Sequence, residues 1–402
     1  MTAAVYPLFS RAKGLALPVL AAVAVLVFAD WQSLAAKGWD AALPAGIWTK
    51  VHQMSLEDPV VFHLQSHGGS AFDIRRGRIL LFGSDSHGLD WSNAPLIFDI
   101  ASLRWRRVYP DDPPSSYRVN AQGLPVAGLR GTHPWAMHSF GAVDYDVRRD
   151  AVVVSSHPEH MEPGRFSDAL AGIWPQVRWH PTWIFDLQSE QWSPLPASPS
   201  PASPSNDPDT LFFAYSTAYD SDRGRMIGAG YHGVFELTGD PLHWQKKADG
   251  EAIGYHSNTV YDPRHKALVI FGRNGLGNDV LIYRPGSQVV TAMPTPGVRP
   301  PRDEHAPMAY HPGLGETIVL IDRFEPGMSR ENRSDARAET WAYTLGDDRW
   351  RRVGSATLPY GLGMNYHLHY DPARDLLLLV TATPPVTPGG AAGLPEVWAL
   401  RL

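Results

Sequence analysis

The chain has 402 residues, of which 44% are apolar, with 36 glycines, 36 prolines and 14 tryptophans, and it carries a net charge of −6. That apolar content supports a large core and argues against wholesale disorder; negative charge without a run of basic residues argues against a nucleic-acid partner. There is no cysteine, which removes disulfides, thiolate metal sites and cysteine nucleophiles from consideration.

At the N-terminus, Arg11 and Lys13 precede a run free of charge from Gly14 to Ala29. Basic residues ahead of an apolar run predict a signal peptide or an N-terminal membrane anchor over 1–36, with the rest of the chain on the far side of the membrane. Ser33-Leu34-Ala35 offers a small-residue cleavage site, so cleavage and retention both stay open. The expectation is an exported protein, periplasmic or extracellular. Residues 37–45 then read as a tether, and 46–402 as one repetitive domain.

Within that domain a hydrophobic-Asp turn recurs: Phe72-Asp73, Tyr145-Asp146, Tyr219-Asp220, Tyr261-Asp262 and Tyr370-Asp371, with Tyr310-His311 as a variant. Asp suits a tight turn because its side chain can bond the turn backbone. Each turn leads into an apolar run, such as Ile79–Gly83, Ala267–Gly272 or Leu376–Thr381. A third segment follows, typified by Thr182-Trp-Ile-Phe-Asp186 and Glu339-Thr-Trp-Ala-Tyr343, and then a fourth carrying Trp105, Trp192, Trp244 or Trp350. Val289-Val290 takes the tryptophan's place in one copy.

Four short strands per unit, repeated in sequence, predict an all-β protein and a β-propeller, because no unit covers its own sheet alone. The count is six four-stranded blades. A seventh would have to lie in 108–136 or 156–181, neither of which shows two clean strands. The last unit runs out after its third strand, while a spare strand, Gly46–Val51, precedes the first unit. Pairing the two closes the ring and covers an open sheet edge. The Pro/Ser stretch Ala197–Pro208 reads as a loop of low complexity.

The aromatic-Asp turn, the strand ending in glycine, the aromatic third strand and the tryptophan of the fourth resemble kelch-type propellers over about residues 46–402. The resemblance implies a fold and leaves the activity open, since propellers host many chemistries.

Strand order sorts the 17 histidines. First-strand starts and second-strand ends emerge on one face of a propeller, and the Asp turns on the other. The former face collects His67, His138, His256, His367, His133 and His305, together with His87, His157, His160 and His232; Tyr215, Tyr231, Arg273 and Asn274 share it. His265 and His311 fall on the turn face and are expected to be solvated. Long insertions rise beside the histidines and carry Trp135, Trp174 and Trp179, read as exposed rings suited to stacking on sugars.

His157-Pro-Glu-His160 is the candidate for a divalent metal, though it lacks the rigid helix of a zinc signature; otherwise no cofactor is expected. GxSxG, phosphate-loop and dinucleotide motifs are absent. Proton transfer by His, Tyr and Arg remains. In residue types and placement the chain is similar to propeller-fold polysaccharide lyases of the ulvan-lyase type, which implies β-elimination on a uronic-acid polymer. Under that resemblance His138 or Tyr215 is the base, Tyr215 or His256 the acid, and Arg273 the partner of the substrate carboxylate. His67, His157, Tyr231, His232, His305, Trp135 and Trp174 would bind substrate. The alternative is a non-catalytic propeller that binds sugar or protein in the cell envelope. A glycan is the expected partner in the first case; oligomeric state is not written in the sequence.

Overall fold

The computed structural model describes residues 38–84, 90–164, 168–195, 216–230, 232–250, 253–254, 256–272, 278–303, 305–324, 333–384 and 393–402. The N-terminal apolar run lies outside them; among the described residues no helix is long and apolar enough to cross a membrane. Contacts divide the chain into a short unit ending at Pro44 and a large one from Ala45 to Leu402. Within the short unit the described residues form one turn of 3-10 helix, Trp39–Ala42.

The large unit is a six-bladed β-propeller of four-stranded antiparallel sheets. Blade 1 comprises Gly69–Asp73, Arg78–Phe82, Leu96–Asp99 and Arg104–Arg107. Blade 2 comprises Val143–Asp146, Ala151–Val154, Trp183–Asp186 and Gln191–Pro194. Blade 3 comprises Ser216–Asp220, Arg225–Gly230, Gly233–Thr238 and His243–Ala248. Blade 4 comprises Asn258–Asp262, Ala267–Phe271, Leu281–Tyr283 and Val290–Ala292. Blade 5 comprises Met308–His311, Glu316–Arg323, Arg337–Thr344 and Arg349–Thr357. Blade 6 has Leu368–Asp371, Leu376–Ala382 and Pro395–Leu400, and takes its outer strand, Thr49–Gln53, from the front of the domain.

That closing strand starts at Thr49, later than the sequence suggested. Gly46 turns the chain through a left-handed φ of 73°, after a bridge between Ala45 and Arg401. Antiparallel pairing then sets Thr49 opposite Ala399 and Lys50 opposite Trp398. The fully buried Glu396 gathers Lys50 Nζ (2.7 Å), Tyr360 OH (2.5 Å) and Trp398 Nε1 (2.9 Å). One carboxylate thus joins the two ends of the ring.

The Asp turns work alike. In each, the carboxylate caps backbone amides and pairs with the side chain three residues on: Asp73 with Arg76 at 3.1 Å, Asp262 with His265 at 2.8 Å, Asp371 with Arg374 at 2.8 Å. Asp146 pairs with Arg149, and Asp220 with Arg223, in the same way. In blade 5 the buried His311 replaces the carboxylate, its Nδ1 accepting the Leu314 amide at 3.3 Å. The expectation that His265 and His311 are merely solvated is therefore wrong. Both take part in building turns.

Apolar strands pack between blades, as in the cluster that joins Leu80 and Phe82 of blade 1 to Tyr145, Val152 and Trp192 of blade 2. The fourth-strand tryptophans act as wedges: Trp192 meets Phe185 of its own blade and Phe82 of the previous one, both at 4.9 Å. Trp350 does the same with Tyr343 and Phe271, at 5.0 and 5.1 Å. Neither insertion forms a blade. The described parts of 108–136 and 156–181 build a small core of their own, with Tyr117, Trp135, Met161, Leu170 and Val177, beside the strand pair Arg118–Val119 and Pro125–Val126.

Candidate functional site

Opposite the Asp turns, five imidazoles and a phenol gather where the first strands begin. His67 stacks on His138 with centroids 4.0 Å apart and planes 9° from parallel, and His138 stacks on His160 at 3.7 Å. Phe140 stands edge-on to His67, His138 and His256. His256 meets His305 at 4.0 Å, and its Nδ1 lies 3.0 Å from the Tyr366 hydroxyl. His138, His160, His256, His305 and Tyr366 are buried; His67 is half-buried.

Local backbone explains the convergence. The Ser139 and Phe140 amides both donate to the His67 carbonyl at 2.9 Å. Gly69 and Gly83 make room for this crossing: a Cβ on Gly69 would sit 2.1 Å from the Phe140 carbonyl oxygen, and one on Gly83 2.1 Å from Ser139 Oγ. Blades 1 and 2 are thereby stapled together with their histidines face to face.

A positional rule also emerges. His67, Phe140, His256, His305 and Asn365 each stand five residues before the turn aromatic of their blade. At this position Phe140, His256 and His305 have φ of 48°, 60° and 63°. Left-handed backbone is costly for bulky residues and is held only where the surroundings enforce it, often at functional sites.

Burial sets the charge state of one member of the cluster. His256 is pushed down to about 2 by burial, and secondarily by the neighbouring imidazoles of His305, His67 and His160. It is neutral at physiological pH.

Not every expected residue joins the cluster. Tyr215, Tyr231 and Arg273 lie outside the described residues, as do His87 and Asn274. His157 turns instead toward His180, at 5.2 Å, so the rings of the metal candidates His157 and His160 stack with different neighbours. Among the described residues, no group of three or more His, Asp or Glu has the geometry to hold a metal ion. His232 is half-buried in blade 3, and His367 is buried next to His369 rather than in the stack. His133 bonds Asp112 at 2.7 Å and stacks on Tyr109.

Trp135 corrects the reading of it as an exposed ring. It is only 1% exposed, with its indole donating to the Val126 carbonyl inside the insertion core. Trp174 and Trp179 are half-buried. Tyr366 is the residue the sequence reading missed. It stands four positions before Tyr370, as Tyr215 does before Tyr219, and that shared offset was the available signal.

No protein-family model matches the chain, and no curated protein matches it.

Proposed function

We propose that the protein is an exported, carbohydrate-active propeller that cleaves a uronic-acid polysaccharide by β-elimination at the histidine face. The observation that carries this reading is the gathering of the His67–His138–His160 stack with the His256–His305 pair around Phe140, with the neutral His256 bonded to the Tyr366 phenol. Such a set can take up one proton and release another without gaining net charge. The chain has neither a cysteine nor a GxSxG serine motif.

In this mechanism an imidazole of the His67–His138–His160 stack removes the proton beside the substrate carboxylate. The C–H electron pair becomes the new C=C bond, and the C–O bond to the leaving sugar breaks. The Tyr366 phenol supplies the proton to the departing oxygen and is reprotonated from solvent by way of His256, whose Nδ1 lies 3.0 Å from it, while the stack releases its own proton to solvent. Tyr215 is the second phenol of this design and Arg273 the cation that quiets the carboxylate. The remaining sugar-contacting roles belong to His157, Tyr231, His232, His305 and Trp174. Kelch-type classification rests on the turn, strand and tryptophan pattern alone, and export on the N-terminal apolar run.

Incubating the full chain with a panel of uronic-acid polymers tests the reading, through the ultraviolet absorbance of unsaturated ends. Tyr366→Phe should slow their appearance by about a hundredfold or more, the usual weight of one proton-transfer group. If the whole panel yields no unsaturated ends while His138→Ala leaves glycan binding intact, the catalytic reading fails and the non-catalytic one takes its place.

A further inference from the structure

At the turn face the central channel opens into a chamber of about 370 Å³, rimmed by turn residues such as Ile74, Val147 and Pro263. Its walls repeat from blade to blade. The turn aromatics Phe72, Tyr145, Tyr219, Tyr261, Tyr310 and Tyr370 all line it. Immediately before them come Ala71, Ala218, Val260 and Ala309 in four blades, but Asp144 in blade 2 and His369 in blade 6.

Asp144 accepts a backbone amide from Tyr219 of blade 3, but it carries none of the turn-capping role of its neighbours. The turn is capped by the next carboxylate, Asp146, which also pairs with Arg149. Four other blades manage with alanine or valine at the same position. Asp144 accepts its own neighbour's amide, Tyr145 N, at 2.7 Å. Among the described residues no cation pairs with it, and none of those lining the chamber is Lys or Arg. His369 adds no competing positive charge: it is pushed down to about 4 by burial, and its Nε2 is engaged with Ser70 Oγ at 2.8 Å.

The aromatic walls suit the same kind of guest. Tyr145, Tyr261 and Tyr370 donate their hydroxyls to Asp150, Asp222 and Asp375, each at 2.7 Å. A phenol that donates to a carboxylate keeps an electron-rich ring, and ring faces attract organic cations. A hard metal would need further carboxylates to complete its shell. We propose that this chamber, whose inner end reaches Tyr366 of the histidine face, is a second ligand site at its turn end, which takes a small organic ammonium ion with its charge at Asp144 and its carbon body among the turn aromatics.

The supporting electrostatics agree, since burial pushes the Asp144 carboxyl up to about 7, with Asp146 adding to the rise. A bound cation would reverse that shift. The test is calorimetric titration of the full chain with butylammonium and tetramethylammonium at neutral pH, with butanol as the neutral counterpart. Butylammonium should bind the native chain and lose about tenfold or more in affinity with Asp144→Asn, as expected for a desolvated charge contact. Tyr261→Leu should weaken tetramethylammonium. Should Asp144→Asn fold poorly, the carboxyl carbon resonance of Asp144 in the native chain serves instead, and must move on adding butylammonium. Absent binding, equal binding of butanol, an unchanged affinity in Asp144→Asn, or the same response to sodium chloride alone would each overturn the proposal.

Discussion

His256 and His367 sit in the ring as neutral imidazoles, pushed down to about 2 and about 3 by burial, with neighbouring histidines adding to the effect. Their ordinary value in an unfolded chain is near 6.5. The unfolded state therefore binds more protons than the folded one, and the stability these groups contribute is complete above pH 6.5 and is lost as pH falls below it. At pH 5 each withdraws ~2 kcal/mol relative to pH 7. Asp144 acts in the opposite sense, because its raised carboxyl binds a proton more readily when folded. The expected outcome is a melting temperature that drops between pH 7 and pH 5, and drops less in His367→Asn; a flat profile in the native chain would contradict it.

Among elements, the turns and the closing strand make the sharpest predictions. Asp73 is 1% exposed, caps the Arg75 and Arg76 amides at 3.1 Å, and accepts from Arg76 and Arg78. Asp73→Ala leaves those donors without their acceptor and should cost ~3 kcal/mol in denaturant unfolding. Glu396→Ala should cost at least as much, ~3–5 kcal/mol, since Lys50, Tyr360 and Trp398 all lose the same buried acceptor. Its second signature is an exposed strand edge, readable as concentration-dependent association by light scattering. Trp105→Ala, by contrast, would test packing without touching either device.

For the molecule as a whole, repetition made the sequence legible. Six aromatic-led turns announce the ring because five of them obey the same local chemistry, with carboxylate, capped amides and a partner three residues on. Even the exception, His311, was visible as a substitution; that an imidazole nitrogen could accept the Leu314 amide was not. The histidine face was legible as a direction only. His138 and His160 share one stack although two blade strands separate them in sequence, and His157, three residues from His160, turns elsewhere. Trp135 was misread because its burial depends on the insertion folding over it, which no strand pattern announces.

The closing strand has a mechanical consequence. Because Thr49–Gln53 runs antiparallel to Pro395–Leu400, Thr49 and Ala399 lie at the same end of the pair. A tension applied between Ala45 and Leu402 would part the strands one rung after another instead of loading all rungs together. The Trp48 indole, bonded to Thr340 Oγ1 at 2.9 Å, would pass part of that load to blade 5 before the first rung opens. Tension arriving through the residues ahead of Ala45 would thus meet the ring at its closing seam.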